Sequence, residues 1–309
     1  KYGRELFPLA ELHNVDFMFE GAVGGGIPII RPLKSCLAAN RIKSVMGIVN
    51  GTTNYMLTKM SQDHMDYGEV LREAQEKGYA ESDPTADVGG LDAARKLVIL
   101  ASIAFNTRIS LDDVLVAGIE SLKLCDIEYA KELGYTIKLL AVAKHDEEKG
   151  ITVCVRPTML PTEHPLAGVN DVFNAVFVEG DALGEAMFMG RGAGGLPTAS
   201  AVCGDIIDVA RNMVHASTGR INCTCFDEKH LCRLEDMLSP FYIRLNVVDK
   251  PGVLAAIAAA FAAQNVGLKK VIQKQMVGDK LAELVVITYH VSELDMQMAV
   301  TDFERPAGY

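Results

Sequence analysis

The 309-residue chain predicts a combined α/β and α+β architecture, and three observations carry that reading. Residues 42–189 alternate strand-period and helix-period segments. A glycine-rich loop at 190–195 then opens a long helix, and residues 240–309 read strand, helix, strand, strand, helix. The length suits about two domains, each with its own core.

Residues 1–12 read as a helix leading into a short apolar strand at 15–20. In Glu20-Gly21-Ala22-Val23-Gly24-Gly25-Gly26-Ile27, three consecutive glycines permit a backbone whose carbonyls bend toward one point. A flexible hinge between domains is the plainer reading of the same residues. Residues 42–49 form a strand that ends in Asn50-Gly51-Thr52-Thr53-Asn54-Tyr55 and turns helical at Met56. Strand, glycine and hydroxyls, then helix is a binding-loop layout, because N–H groups at a helix N-terminus suit an anion such as a carboxylate. An Asn or Thr N-cap with no ligand describes it equally.

A helix at 69–77 is broken by Asp83-Pro84, Gly89-Gly90 allow a tight turn, and Leu91 opens a helix whose body, 97–105, is apolar on nearly every side. Helices follow at 111–118 and 127–135, then strands at 137–144 and 151–155 joined by a turn over Asp146-Glu147-Glu148-Lys149-Gly150. Further strands fall at 172–179 and 185–189. Thr198 and Ser200 are candidate caps for the helix at 197–213, and residues 220–239 read as a linker. Phe241, Ile243, Leu245 and Val247 alternate with polar residues as a half-buried strand. Leu254, Ile257, Ala258, Phe261 and Ala262 mark one helix face. A strand at 268–275, a turn at Gly278-Asp279, a strand at 281–290 and a polar helix from near Ser292 complete the order.

Net charge is −10 and no basic run occurs, which argues against nucleic acid and against anionic membrane surfaces. The longest apolar runs, 97–105 and 254–263, fall far short of the roughly 20 residues that span a bilayer, and no signal peptide is evident. Seven cysteines show no paired framework and read as reduced thiols of a cytoplasmic protein. Cys223-x-Cys225 with His230 and Cys232 nearby lacks the usual zinc spacing.

The chemistry concentrates at 78–96. Glu81, Asp83, Asp87 and Asp92 precede Lys96, and Asp92 and Lys96 share one helix face at i,i+4. Lys96 sits where polar loop meets core. Burial disfavours the charged lysine and nearby carboxylates favour it, the balance a general acid or base needs. On spacing alone, Asp92 and Lys96 also read as an ordinary ion pair beside solvated loop residues.

The pattern Ala74-x3-Gly78-Tyr79-Ala80-x2-Asp83-Pro84-x2-Asp87-Val88-x-Gly90-x-Asp92-x3-Lys96 resembles the signature of the homoserine dehydrogenase family at every fixed position. The resemblance implies NAD- or NADP-dependent interconversion of L-homoserine and L-aspartate semialdehyde, within threonine, methionine and isoleucine biosynthesis. It implies Lys96 as the proton-transfer residue and Glu81 and Asp92 as the holders of the substrate. It places Tyr79, Asp87, Asn50, Gly51 and Thr52 in the substrate pocket, and Gly78, Gly192 or Gly194 against the dinucleotide. Glu20 and the main-chain oxygens of Val23, Gly25 and Ile27 become a site for a monovalent cation, Na+ or K+, which oxygen-only coordination suits.

The resemblance also implies a layout: 1–27 as the end of a Rossmann-type nucleotide-binding domain, 28–196 as a mixed-sheet catalytic and dimerisation domain, 197–239 as a helix and linker returning to the first domain, and 240–309 as a regulatory domain. Neither the family's Gly-x-Gly-x-x-Gly turn after a first strand nor its Thr-Ala-Asn-Lys segment is present, and Gly190-x-Gly192-x-Gly194-Gly195 follows the wrong element to be that turn, so the chain is expected to begin part-way into that layout. Asp249-x-Pro251-Gly252-Val253-Leu254 after the first strand resembles an ACT domain, which implies a threonine effector at subunit interfaces. Residues 305–309 do not read as that domain's closing strand. A non-catalytic amino-acid-binding or dimerisation module is the alternative, favoured by the absent phosphate-binding turn. A divalent-metal hydrolase is a third reading, against which the few nearby histidines count.

Overall fold

The structure is a computed structural model that describes residues 2–274 and 281–304 and divides into two compact units, 1–231 and 232–309. In the first unit, α1 (Gly3–Leu12) leads into residues 15–19, where the expected strand does not form. No strand lies beside this segment among the described residues, so side chains satisfy its backbone instead. Phe17 N–H donates to Asn222 Oδ1 (3.3 Å), Asn222 Nδ2 donates to the Val15 carbonyl (3.2 Å) and Gly219 N–H to Asp16 Oδ1 (2.9 Å). A 3-10 turn (Glu20–Ala22), the glycine loop and a π-helical turn (Pro32–Cys36) follow.

β1 (Ile42–Ile48) runs to Asn50, which caps α2 (Gly51–Asp63). The helix therefore begins well before Met56, because Asn50 accepts the Thr53 N–H in extended backbone. Next come α3 (Tyr67–Glu76), α4 (Thr85–Val88) and α5 (Leu91–Ala104). The helix expected at 111–118 is replaced by a 3-10 turn (Leu111–Asp113) and β2 (Leu115–Val116). Ser110 and Asp113 close a reciprocal capping box around that turn, and β2 then pairs with Cys154 and Val155.

α6 (Leu124–Glu132) stops short of Tyr135 because Gly134, at φ +82°, turns the chain into β3 (Tyr135–Asp146). Asp146 Oδ1 accepts the N–H groups of Glu148 and Lys149 in the hairpin to β4 (Gly150–Pro161). β5 (Phe173–Gly180) and β6 (Gly184–Arg191) form a second hairpin before α7 (Gly195–Val214). Neither Thr198 nor Ser200 caps α7: Gly194 occupies the cap at φ +118°, and the helix starts two residues earlier than expected, which puts both hydroxyls inside it.

The six strands form one mixed sheet in the order β2-β4-β3-β1-β5-β6, with β2 and β4 parallel and the other pairs antiparallel. Residues of α2, α5 and α6 build the main core with β1, β3 and β4; Met56, Leu97 and Leu100 are completely buried there. Each such side chain contributes roughly 1.5–3 kcal/mol through burial. A smaller core of Ile48, Leu140, Leu160, Leu166, Ala175 and Phe177 includes the turn Pro165–Gly168. By contrast α7 buries no residue, and Leu196 is 88% exposed. Residues 220–231, expected as linker, return to this unit through bridges at Thr107–Asp227 and Ile151–Leu231.

The second unit contains β7 (Leu238–Ser239), β8 (Tyr242–Val248), α8 (Val253–Ala263), β9 (Leu268–Lys274), β10 (Leu281–Thr288), β11 (Val291–Ser292) and α9 (Glu293–Glu304). Its antiparallel sheet runs β8-β10-β9, and β7 pairs with β11. Ile257, Phe261, Leu284, Val286, Met296 and Ala299 form a core of its own. Gln275, the turn at Gly278-Asp279 and the terminal stretch 305–309 lie outside the described residues. No helix among the described residues is long and apolar enough to cross a membrane.

Candidate active site

Three elements converge where β1 ends. Lys96, on the second turn of α5, donates to Asp92 Oδ2 (2.7 Å) and to the carbonyl of Val49 (2.9 Å), the residue after β1. Asn50 Nδ2 donates to the same Asp92 oxygen (2.9 Å) and to Asp87 Oδ1 (2.7 Å), while its Oδ1 accepts Thr53 N–H (2.9 Å). Asn50 is 5% exposed, whereas the side chains of Lys96 and Asp92 are 22% and 30% exposed. A buried amide thus holds two carboxylates side by side, and the lysine between solvent and core completes the group. Two carboxylates on one amide, only one of them bonded to the lysine, suit a ligand that brings a cationic group.

Thr52 Oγ1 donates to the Tyr79 carbonyl (2.6 Å), which ties the first turn of α2 to the 78–84 loop. The Tyr79 ring meets Tyr55 edge-on at 5.0 Å. Behind it, Tyr55 donates to Glu73 Oε1 (2.7 Å) and Lys77 donates to Tyr55 Oη (2.9 Å) and to Glu73. Burial pushes the Tyr55 phenol up, and hydrogen bonds from Lys77 and Tyr55 pull the Glu73 carboxyl down. Gly78 stands at φ +73° with open space where a side chain would go. Asp83 accepts from Thr85 Oγ1 (2.6 Å), which lowers its carboxyl and starts α4. Glu81 is exposed, and its carboxylate has no partner among the described residues.

The second group is a junction of glycine loops. Glu20, 5% exposed, accepts the N–H groups of Ile29 (2.7 Å) and Ile30 (2.8 Å) on Oε1 and of Arg31 (2.8 Å) on Oε2. Three of about four acceptor sites on that carboxylate are therefore used within the chain. Gly24 and Gly25 both take positive φ, and a Cβ at Gly25 would fall 2.4 Å from the Gly192 carbonyl oxygen. Val23 and Ile27 flank them, fully buried, and Gly26 N–H donates to the Arg191 carbonyl (3.1 Å). Gly194 caps α7 on the same loop. Asn174 on β5 lies between the loop after β1 and the loop after β6. A Cβ at Gly192 would overlap its amide, and its Oδ1 lies 3.6 Å from where Gly51 would carry one.

The sequence reading passed over Asn174 as sheet-building. Its one signal is a polar residue opening a run of Ala175, Val176, Phe177 and Val178.

A profile of the family "Homoserine dehydrogenase" matches residues 28–207. The homoserine dehydrogenase of Bacillus subtilis is 46% identical over 295 residues, 95% of this chain and 68% of that protein. That of Corynebacterium glutamicum is 46% identical over 303 residues, 97% of this chain and 67% of that protein. The chain belongs to the homoserine dehydrogenase family. The crystal structure of a homoserine dehydrogenase from Thiobacillus denitrificans superposes with a TM-score of 0.93 at 38% identity, covering 99% of this chain and 71% of that one. A hyperthermophilic archaeal homoserine dehydrogenase, solved in complex with NADPH, gives 0.59 at 31% identity over 69% of this chain and 61% of that one. The matched stretch, 28–207, holds the Asn50–Asp87–Asp92–Lys96 group, Asn174 and Gly192. Glu20, Val23, Gly25 and Ile27 precede it.

Proposed function

We propose that this member of the homoserine dehydrogenase family interconverts L-homoserine and L-aspartate 4-semialdehyde at the end of β1, with Lys96 as the proton-transfer residue. The observation that carries this is the fixed position of Lys96 Nζ, 2.7 Å from Asp92 and 2.9 Å from a main-chain carbonyl, at a site that solvent reaches. Lys96 takes the hydroxyl proton of homoserine in the oxidative direction and returns it in the reductive one. Asp92 and Glu81 hold the substrate, and Asp87, Tyr79, Gly51 and Thr52 line the pocket, so that the carbinol carbon is presented in one orientation.

The archaeal relative's complex with NADPH supports a nicotinamide cofactor here, NADP or NAD. When bound, the ring accepts or returns the hydride of that carbon. Gly78, Gly192 and Gly194 would hold it, and the junction suits close backbone approach, since a Cβ at Gly192 would already overlap Asn174. Glu20 with the carbonyls of Val23, Gly25 and Ile27 would take a monovalent cation. Consecutive left-handed glycines at 24 and 25 and one remaining acceptor site on Glu20 support this.

In the same reading, residues 1–27 are the end of the nucleotide-binding domain and residues 197–239 pack on that domain, which would cover the apolar face of α7. Residues 28–196 dimerise through the mixed sheet in the cytoplasm, and 240–309 form an ACT-type module that senses threonine. The order β8-α8-β9-β10, followed by the short β11 and then α9, supports the last assignment. The test is homoserine-dependent nicotinamide reduction by the full-length protein and its Lys96→Ala variant. The variant is expected to lose at least about 100-fold in kcat with unchanged circular dichroism. A folded variant at wild-type rate would remove Lys96 from the chemistry.

A further inference from the structure

Within the dehydrogenase reading above, we propose that Asn174 recognises the carboxamide of the nicotinamide ring. The residue is 1% exposed, its Oδ1 is buried, and neither atom of its amide has a hydrogen-bond partner among the described residues. Proteins rarely leave a buried amide unspent, because it forfeits the hydrogen bonds it made to water. The surroundings are cleared of side chains on two sides. At Gly192 a Cβ would come within 1.9 Å of Asn174 Nδ2, and at Gly51 one would meet the Val172 carbonyl at 3.1 Å and Asn174 Oδ1 at 3.6 Å.

The amide also lies beside the reacting groups. Ile48 pairs with Ala175, so Asn174 stands at the strand end where β1 continues into Val49, whose carbonyl binds Lys96. Its partner should therefore be a group that reaches the ring-transfer geometry from the Gly192 side. A primary amide with donor and acceptor both unspent is complementary to a second primary amide, through two antiparallel hydrogen bonds and in either flip of the asparagine. Nicotinamide carries such a group. Homoserine offers an ammonium, a hydroxyl and a carboxylate, none of which presents a donor and an acceptor at that spacing.

The experiment compares two cofactors in the full-length protein by titration calorimetry: the dinucleotide that the wild type turns over, and its 3-acetylpyridine analogue, which keeps the acceptor oxygen and lacks the N–H donors. Wild type is expected to bind the carboxamide form about tenfold more tightly. Asn174→Ala and Asn174→Ser are expected to bind both forms alike, at the weaker level, with the KM for homoserine unchanged. Their unfolding midpoints should not fall by more than a side-chain truncation explains, since an unpaired buried amide has been removed.

Retention of the tenfold preference in either folded variant would overturn the proposal, as would its absence from wild type. A raised homoserine KM with the cofactor preference intact would assign the amide to the substrate and equally overturn it. Homoserine oxidation by wild type with the natural cofactor is scored separately, so a failure of the dehydrogenase reading is not mistaken for a failure of Asn174.

Discussion

Asn50 spends its amide on protein groups: Thr53 on the acceptor side, Asp87 and Asp92 on the donor side. It was expected in the substrate pocket as a contact residue, and its saturated hydrogen bonds support a positioning role instead. Two variants separate its functions. Asn50→Ala removes both the cap and the bridge, so it should cost about 1 kcal/mol of stability and lower kcat/KM. Asn50→Asp keeps an acceptor for the Thr53 N–H but sets a third carboxylate against Asp87 and Asp92. Its kcat/KM should fall by about 100-fold with the helix cap intact, a loss of roughly 2.7 kcal/mol in transition-state stabilisation. An Asn50→Asp enzyme at wild-type efficiency would mean that the carboxylates hold their places without the bridge. Asn50, Asp87, Asp92 and Lys96 were all singled out in the sequence as pocket candidates, whereas their partners Thr53 and Val49 were not. Sequence reading could not see the bridge, because Asn50 reaches across 37 and 42 residues of chain to Asp87 and Asp92, and local spacing carries no information at that range.

Among the elements, α2 is positioned through its first turn. Asn50 fixes its N-cap, and Lys138 of β3 is buried and donates to Asn54 Oδ1 (3.1 Å), Asn170 Oδ1 (3.1 Å) and the Val169 carbonyl (2.5 Å). Burial pushes the Lys138 amine down to about 8, with Asp171 opposing. Because the folded value lies below the ordinary 10.5, the unfolded chain binds the extra proton between pH 8 and 10.5. The penalty, ~3 kcal/mol for that difference, is fully present below pH 8 and is relieved as pH rises toward 10.5. Denaturant unfolding at pH 7.5 and pH 10 should show wild type gaining stability relative to Lys138→Met across the interval. Parallel behaviour of the two would mean that Lys138 is not desolvated in the folded state.

The elements that sequence reading missed share one cause. The apolar alternation at 15–19 and the helix-like composition at 111–118 were outvoted by distant partners: contacts with Asn222 and Gly219 in the first case, pairing with Cys154 and Val155 in the second. Where local chemistry is decisive, as at the Asp146–Gly150 turn, the reading and the structure agree, whereas the helix expected to break at Asp83-Pro84 already ends at Glu76, ahead of Gly78 at φ +73°, and Pro84 instead caps α4. The contact between the two glycine loops was likewise invisible in sequence, since each loop reads as a separate binding loop. Gly25→Ala would force a Cβ to 2.4 Å from a main-chain oxygen in a left-handed backbone, and main chain cannot yield as a flexible side chain can. A loss of ~2–3 kcal/mol, measured as a lowered unfolding midpoint, is the expected outcome. An unchanged midpoint would show that the loops separate freely.

The molecule as a whole consists of two units whose cores share no residue: one is built on the six-stranded sheet of 1–231, the other on β8, β9, β10 and their helices. Every residue assigned here to proton transfer, substrate or cofactor lies in the first unit, and the proposed threonine module lies wholly in the second. Separate cores allow separate folding, so catalysis and effector response should be separable by shortening the chain. A protein ended after Leu231 is expected to retain cooperative unfolding and homoserine oxidation, because among the described residues Leu231 is the last that bridges to the sheet, through Ile151. Threonine, if it lowers the rate of the intact enzyme, should leave the shortened one unaffected. Initial rates with and without threonine on both proteins decide the matter. A shortened enzyme that still responds places the effector site on the catalytic unit, and a shortened enzyme that fails to fold shows that the second core supports the first.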